Sequence, residues 1–282
     1  MKTKNYLLSL ALIGATAFTT YFATATTTAQ QGGQTQQVQT ADNEYQVAAI
    51  LYMQKSAEYR ALCYQAFNWA RKMLDADEKT SKKLPKSERK KPRAVVVDID
   101  ETVLDNSPAQ AFGVINKRPF NLKDWYAWGE MRKAKALPGA VEFAKYAAEK
   151  NVRIFYISNR DEVQKQATIE NLKAAGFPDI SEENVILRQK ESAKEPRRAA
   201  VAEKYRIVLL MGDNLNDFSA VFERKSIDER FAETDKVKNL WGEKFIVLPN
   251  AMYGDWESAI YEYQRLTEEQ KADKRKQSLE LP

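Results

Sequence analysis

Five short apolar runs separated by helical segments constrain the fold of this chain more than any other feature of its sequence. The runs cover residues 94–97, 152–157, 184–187, 207–210 and 245–248. Helical spacing between and around them predicts helices over 140–150, 162–175, 197–204 and 218–224. Continuous apolar strands that alternate with helices are typical of a parallel sheet covered on both faces. The sequence therefore predicts a doubly wound α/β fold.

Polar residues follow the apolar runs directly. They are Asp98 and Asp100, Ser158-Asn159-Arg160, residues 188–194, Gly212-Asp213-Asn214, and Pro249-Asn250. Ligands of open parallel sheets bind at the carboxyl ends of the strands. We therefore expect these side chains to meet at one edge of the sheet and to form a site there.

The residue types that are missing limit the chemistry of that site. The chain contains no histidine, which excludes Ser-His-Asp triads, phosphohistidine catalysis and His-ligated metals. Its single cysteine, Cys63, has Trp69 six residues on, where a thiol phosphatase loop needs arginine. Carboxylates, hydroxyls, lysines and backbone groups remain for catalysis. The net charge of +5 is weak evidence for any partner, anionic small molecule or nucleic acid.

The first 43 residues are expected to lie outside the folded domain. Lysines, an apolar run and Ala23-Thr24-Ala25 predict a signal peptide over 1–25, with an uncleaved anchor as the alternative. Residues 26–43 resemble a flexible tether, and 44–282 form the predicted domain. No cysteine for lipid attachment follows the leader, so a periplasmic or secreted protein without a stable membrane anchor is expected.

Three segments of the domain do not fit the alternation of strands and helices. Residues 44–77 have helical spacing and predict one or two N-terminal helices. The basic run 79–93 is interpreted as a solvated linker, with phosphate steering as the alternative. Roughly 35 aromatic-rich residues follow the first strand, a connection long enough to carry a function or a subdomain. We interpret the segment of about 105–137 as a small helical cap over the site.

Asp98 and Asp100 carry the sharpest chemical signal. Alternate residues of an extended chain face one way, so both carboxylates can project into the same pocket. Two carboxylates that close together need a metal or a shared proton, and their pKa values can be driven apart. The pair suits one group as nucleophile and the other as acid and base.

The segment Asp98-Ile99-Asp100-Glu101-Thr102 resembles D-x-D-x-T, the first motif of the haloacid-dehalogenase superfamily. The resemblance implies that Asp98 attacks phosphorus and that Asp100 protonates the leaving oxygen and then activates water. Ser158 and Asn159 match the second motif, whose hydroxyl and amides bind phosphoryl oxygens.

The third and fourth motifs complete the resemblance. Lys194, preferred over Lys190, would neutralise phosphoryl charge. Gly212-Asp213-Asn214-Leu215-Asn216-Asp217 is similar to G-D-x-x-x-D, in which Asp213 ligates a metal and Asp217 holds the ligands from one turn further on. An N-cap is the alternative for Asp213. Asp98, Asp100 and Asp213 offer hard oxygen ligands, which favour Mg²⁺. The resemblance implies that Asp100 contributes its backbone carbonyl.

Further segments resemble one branch, the class C acid phosphatases, which include bacterial lipoproteins with nucleotidase activity. They include Arg118-Pro119-Phe120, Lys123-Asp124-Trp125 and the run 248–256. This resemblance implies a magnesium-dependent, extracytoplasmic acid phosphatase acting on phosphomonoesters, nucleoside 5′-monophosphates in particular. Phe120 and Tyr253 would then stack on the substrate's ring, with Trp125 nearby in the same substrate site. Packing within the cap core is the alternative.

Two other functions stay open at this point. One is phosphoryl transfer to an alcohol acceptor, and the other is a noncatalytic surface protein that binds nucleotides. The expected partner is a small phosphomonoester and not a nucleic acid. The sequence leaves open whether the chain forms a homodimer, which leaving group it prefers, and whether Lys190 or Lys194 contacts the phosphoryl group.

Overall fold

The computed structural model describes residues 43–282. The predicted signal peptide lies outside the described residues, as does the predicted tether except for Asn43. The α-helices are α1 (Val47–Lys55), α2 (Ala57–Thr80), α3 (Lys86–Lys90), α4 (Ser107–Ile115), α5 (Leu122–Met131), α6 (Ala140–Glu149), α7 (Lys165–Ala174), α8 (Glu195–Lys204), α9 (Ile227–Lys236), α10 (Asp255–Ile260) and α11 (Glu268–Gln277). The strands are β1 (Arg93–Val97), β2 (Leu104–Asp105), β3 (Lys135–Ala136), β4 (Val152–Asp161), β5 (Val185–Arg188), β6 (Arg206–Gly212) and β7 (Phe245–Val247).

A five-stranded sheet in the order β5-β4-β1-β6-β7 forms the centre of the fold, and each neighbouring pair is parallel. Val97, the last residue of β1, pairs with Tyr156 on one side and Met211 on the other. The end of β1 therefore lies level with Tyr156 and Met211, and β4 continues for five residues beyond that level. The predicted α/β fold with flanking helices and N-terminal helices is confirmed.

Strand β1 is apolar from Ala94 to Val97 because both of its faces are buried there. Val95 and Val97 belong to the larger hydrophobic core, whereas Ala94 and Val96 belong to a smaller core on the opposite face. A strand covered on one face would alternate apolar and polar residues. The continuous apolar run in the sequence is therefore explained by the hydrophobic cores that cover the two faces of the sheet.

The N-terminal helix α2 packs on the larger core. Its buried residues are Tyr59, Cys63, Phe67, Ala70 and Leu74. They follow one another at spacings of three or four positions, which places them on one face of the helix. The rings of Phe67 and Phe143, the latter on α6, lie 5.8 Å apart. Helix α2 is therefore part of the domain rather than an appendage to it.

Two sequence-based predictions differ from the structure. The basic run 79–93 is solvated, since none of its residues is buried, but it is not a linker, because it contains the end of α2, a short 3₁₀ turn, α3 and the start of β1. The predicted helix 218–224 is instead a single 3₁₀ turn, Ala220–Phe222, that ends before Arg224 at a positive φ of 52°. The regular helix of this region is α9, which begins at the capping box formed by Ser226 and Glu229.

The segment proposed as a cap contains α4 and α5. Strands β2 and β3, which flank these helices, pair with each other as a short antiparallel ribbon. Pairing of the two flanking strands brings the entry and exit of the segment together beside the end of β1. Within residues 43–282, no helix has the length and apolar character needed to cross a membrane.

Candidate active site

A cavity of about 770 Å³ lies at the carboxyl edge of the sheet and extends beneath α4 and α5. Every candidate site residue proposed from the sequence lines it, namely Asp98, Asp100, Phe120, Trp125, Ser158, Asn159, Lys194, Asp213, Asp217 and Tyr253. The volume is within the range of small-molecule sites, roughly 300–1,000 Å³. The structure therefore brings together residues that are up to 155 positions apart, from Asp98 to Tyr253.

Asp98 follows β1 and is buried, with 7% of its surface exposed. Its backbone N–H donates to Met211 O at 2.9 Å, which extends the sheet ladder by one residue and fixes the direction of the side chain. Burial raises the pKa of Asp98 well above its usual range, against the opposing effect of the Lys194 ammonium. The Asp98 carboxylate is thus stable as an anion only with a cation beside it.

Lys194, immediately before α8, supplies one such cation. Its ammonium donates to carboxylate oxygens of both Asp98 and Asp217, and all three groups are buried. Burial by itself would lower the pKa of Lys194, but the charges of Asp217 and Asp98 outweigh it and raise the pKa above its ordinary value. Lys190 is exposed. This geometry favours Lys194 over Lys190 as the lysine of the site.

Asp98, Asp213 and Asp217 form a cluster whose carboxylate oxygens lie within 4.8 Å of one another. Asp213 accepts hydrogen bonds from Asn250 Nδ2 at 2.8 Å and Thr102 Oγ1 at 3.1 Å. Burial, followed by the charge of Asp217, raises the pKa of Asp213 to about 7. Three hard oxygen donors that repel one another fit a divalent cation. Asp217 is therefore close enough to bind such a cation directly, whereas the resemblance implied that it only holds the ligands in place.

The close approach of Asp217 depends on Gly212. A Cβ atom at position 212 would collide with the Asp217 side chain. Asp217 is held from the other side by the backbone N–H of Asn214, which donates to Asp217 Oδ2 at 3.1 Å. A glycine at the end of β6 is therefore required for packing and not for an unusual backbone conformation.

Asp100 faces a different set of partners from Asp98. Arg160 donates to Asp100 Oδ1 from Nη2 at 2.7 Å and from Nε at 2.9 Å. Ser158 Oγ lies 3.1 Å from Asp100 Oδ2, and Asn106 Nδ2 donates to Oδ1 at 2.8 Å. The two carboxylates of the first motif thus line one cavity but are held by separate groups, which permits separate roles.

Ser158 and Asn159 lie within the last four residues of β4. This strand extends to Asp161 and is longer than the sequence predicted. Arg197, on α8, donates to Ser158 O at 2.7 Å and to Asn159 Oδ1 at 2.6 Å. It also donates to Ser192 O at 3.1 Å. Arg197 therefore ties the end of β4 to the loop that carries the site lysine. Sequence reasoning missed this residue.

The three predicted aromatic residues differ in exposure and neighbours. Phe120 is 67% exposed, so it is not part of a cap core. Its ring lies 6.3 Å from that of Trp125. The Arg160 guanidinium carbon lies 5.3 Å from the centre of the Trp125 ring. Tyr253 is half-buried against the larger core. All three face the cavity from its rim, where a ring of a bound molecule can stack on them.

A buried aspartate next to a lysine, an adjacent carboxylate cluster and a second aspartate lie at the carboxyl edge of a parallel sheet beneath a helical insertion. Together they define a phosphoryl-transfer enzyme of the haloacid-dehalogenase class, in which an aspartate is the nucleophile.

Comparisons with known proteins specify the family. Residues 11–256 match the model described as HAD superfamily, subfamily IIIB (acid phosphatase). The class C acid phosphatase of Bacillus anthracis is 40% identical, with a TM-score of 0.79 over 85% of this chain and 98% of its own. A structure of that enzyme with tungstate bound gives a TM-score of 0.78 at the same identity and coverage.

A curated plant relative is more distant. Acid phosphatase 1 of Solanum lycopersicum is 29% identical over 130 residues, which are 43% of this chain. The match spans 50% of the tomato protein, so the chain covers about half the length of that relative. On the family match, this chain belongs to the subfamily IIIB acid phosphatases of the haloacid-dehalogenase superfamily. The predicted superfamily and enzyme class, phosphoric monoester hydrolase, are confirmed.

Proposed function

We propose that this protein hydrolyses phosphomonoesters through a phosphoryl intermediate on Asp98. The observation that carries the proposal is the buried Asp98 carboxylate, held by Lys194 on the wall of a cavity that Asp100 also lines. Tungstate is a tetrahedral oxyanion like phosphate, and its presence in the similar Bacillus anthracis enzyme supports an oxyanion site in this fold.

The first step transfers the phosphoryl group to the protein. An Asp98 carboxylate oxygen forms a bond to phosphorus while the bond from phosphorus to the ester oxygen breaks. Asp100 gives its proton to the leaving oxygen, which departs as an alcohol. Lys194 offsets the negative charge of the transferring group. Ser158 and the neighbouring amides are proposed to hold the oxygens that do not react.

The second step returns the enzyme to its starting state. A water oxygen attacks the phosphorus of the aspartyl-phosphate, Asp100 accepts the proton of that water, and phosphate leaves with the Asp98 carboxylate restored. An alcohol hydroxyl in place of water gives phosphotransfer instead. Product analysis with added nucleoside distinguishes the two outcomes, because a transferase forms a new phosphomonoester.

Asp98, Asp213 and Asp217, with the backbone carbonyl of Asp100, are the residues proposed to hold Mg²⁺. The oxygen-only donor set and its mutual repulsion fit that ion. Such a cation, when bound, offsets charge on the phosphoryl group and on the carboxylates around it. Thr102 and Asn250 orient Asp213 through the hydrogen bonds described above.

The aromatic rim supports nucleoside 5′-monophosphates as substrates. Phe120 and Tyr253 offer ring faces, Trp125 lies beside Phe120, and the cavity has room beyond a phosphoryl group for a ring. Phe120→Ala is expected to raise KM for nucleotides more than for sugar phosphates, which have no aromatic ring to stack.

An extracytoplasmic location is part of the proposal and rests on the leader-like residues 1–25. Fractionation of expressing cells, followed by mass determination of the N-terminus, tests it. Mature protein in the periplasm or medium supports the location, and full-length protein in the cytoplasm contradicts it.

The direct test is phosphate release by the purified protein. Nucleoside monophosphates, p-nitrophenyl phosphate and sugar phosphates are compared at acidic and neutral pH, with Mg²⁺ and with chelator. We expect metal-dependent release that is fastest for nucleotides and abolished in Asp98→Asn. Nucleotide binding without phosphate release would instead favour a noncatalytic binding protein, and release by Asp98→Asn would contradict the mechanism.

A further inference from the structure

Arg160 is a buried cation that the proposed mechanism leaves without a role. It lies near the end of β4, two residues after Ser158, and 2% of its surface is exposed. Burial of a guanidinium is costly unless its N–H groups are paired. Here Nε and Nη2 pair with Asp100 and Asn106, and Nη1 donates to Thr168 Oγ1 at 3.3 Å. The side chain both lines the cavity and contacts Asp100.

The guanidinium binds the Asp100 carboxyl group through two nitrogens, in a forked arrangement. Nη2 donates to Oδ1 at 2.7 Å, and Nε is shared between Oδ1 at 2.9 Å and Oδ2 at 3.3 Å. Side-chain contacts with Ser158 and Asn106 hold the same carboxyl group from two other directions. A carboxyl group paired in this bidentate way has one orientation, since rotation would break several bonds together.

Arg160 also connects Asp100 to the cap helix α5. Its Nη2 lies 3.2 Å from Asn106 Oδ1, which accepts a second hydrogen bond from Trp128 Nε1 at 2.8 Å. Its guanidinium faces the Trp125 ring. Two tryptophans of α5 therefore contact the groups that orient Asp100, so the position of α5 and the orientation of the carboxyl group are linked.

We infer that Arg160 is a positioning residue that holds the Asp100 carboxyl group in line with the leaving oxygen and thereby sets the efficiency of leaving-group protonation. The inference rests on the proposed acid role of Asp100. Other forked arginine–aspartate pairs, such as Arg188 with Asp161 and Arg206 with Asp77, involve no residue that lines the cavity.

A misplaced acid harms some substrates more than others. A good leaving group, such as p-nitrophenolate, departs without a proton, whereas a poorly acidic phenol or an alcohol needs one. The dependence of log kcat/KM on leaving-group pKa therefore measures protonation in the first step. A variant that merely loses folded protein lowers kcat/KM equally for all substrates and leaves this slope unchanged.

The experiment measures that slope for a series of substituted phenyl phosphates with the wild-type protein, Arg160→Met, Arg160→Lys and Asp100→Asn. We expect a steeper slope in Arg160→Met, with a loss of about 10–100-fold for the poorest leaving group and a much smaller loss for p-nitrophenyl phosphate, because general acids contribute roughly 10²–10⁴-fold. Arg160→Lys keeps the positive charge but cannot form the two-nitrogen contact, so its slope is expected to lie between those of the wild type and Arg160→Met. It also provides the test if Arg160→Met does not fold.

Arg188→Met is the matched control, because it removes a forked arginine–aspartate pair at the end of a neighbouring strand and is expected to keep the wild-type slope. Equal slopes in the wild type, Arg160→Met and Arg160→Lys would overturn the inference while the proposed function stands. A wild-type protein without phosphatase activity would overturn both. A slope that steepens equally in Arg188→Met would also overturn the inference, because the effect would then not be specific to Arg160.

Discussion

The Lys194 ammonium lies between the buried carboxylates of Asp98 and Asp217, which would otherwise repel each other. In the proposed mechanism it also offsets charge on the transferring phosphoryl group. Lys190, four positions earlier, is exposed. We expect Lys194→Met to lower kcat/KM by about 10²–10³-fold, the cost of removing one group that stabilises transition-state charge. Steady-state kinetics on p-nitrophenyl phosphate provide the measurement.

Lys190→Met is the matched control for that variant. It removes the same charge from the same loop and should stay within about 3-fold of the wild type, because an exposed charge is largely screened by solvent. Equal losses in the two variants would show that the net charge of the loop matters rather than the contact with Asp98.

The residues that sequence reasoning identified share one property: each follows a buried strand or matches a motif with fixed local spacing. Asp98, Ser158 and Asp213 could be placed because strand ends meet at one edge of a parallel sheet. Arg160 and Arg197 could not be assigned roles, because the partner of Arg160 lies 60 positions away and that of Arg197 lies 38–39 positions away. Such pairings depend on the angle at which side chains leave the backbone.

At the scale of elements, the chain between β6 and β7 shows why helix positions were harder to predict than strands. The apolar residues of 218–224 have helical spacing, but Ser219 is extended and its hydroxyl accepts a hydrogen bond from the backbone N–H of Val221. The chain therefore turns rather than continuing as a helix, and Phe218 and Phe222 pack their rings against Trp241. Helix α9 and helix α11 are rich in charge, and their clearest signals are the capping boxes at Ser226 and Thr267.

The capping box of α9 makes a prediction about pH. Hydrogen bonding to the backbone N–H of Ser226 lowers the pKa of Glu229 from 4.5 to about 2. A lowered folded-state pKa stabilises the native state above the unfolded-state pKa, and that contribution is lost as pH falls from about 4.5 towards 2. We expect the stability difference between the wild type and Glu229→Gln to be constant above pH 5 and to shrink through this window.

Urea unfolding of both proteins between pH 2 and pH 7 measures the difference. Ser226→Ala serves as a second probe of the same cap and should cost about 1 kcal/mol near neutral pH. A difference between the wild type and Glu229→Gln that does not vary with pH would show that the charge of Glu229 does not contribute to the cap.

At the scale of the whole molecule, the N-terminal helix α2 and the central sheet share the larger hydrophobic core. Phe67 on α2 is 1% exposed and packs on Phe143 of α6. We expect Phe67→Ala to reduce the free energy of unfolding by about 3–5 kcal/mol, the usual cost of removing a buried ring. The same helix carries Leu62, which is 39% exposed, and Leu62→Ala should change stability by less than about 0.5 kcal/mol.

Chemical denaturation of the two variants, with activity measured well below the unfolding transition, separates packing from catalysis. Phe67→Ala should remain active where it remains folded. A small effect of Phe67→Ala on stability would mean that α2 is only loosely attached to the sheet. The sequence predicted that helices occur in this region but could not show where they pack, since an amphipathic face does not identify its partner.

Chemical trapping can detect a phosphoryl intermediate on Asp98 and identify the residue that carries it. Enzyme mixed briefly with substrate and Mg²⁺ is quenched and treated with borohydride, which reduces an aspartyl-phosphate to homoserine. Peptide mass spectrometry then locates the product. We predict homoserine at position 98, dependent on substrate and absent from Asp98→Asn. Homoserine at another residue, or no homoserine during active turnover, would contradict a phosphoryl intermediate on Asp98.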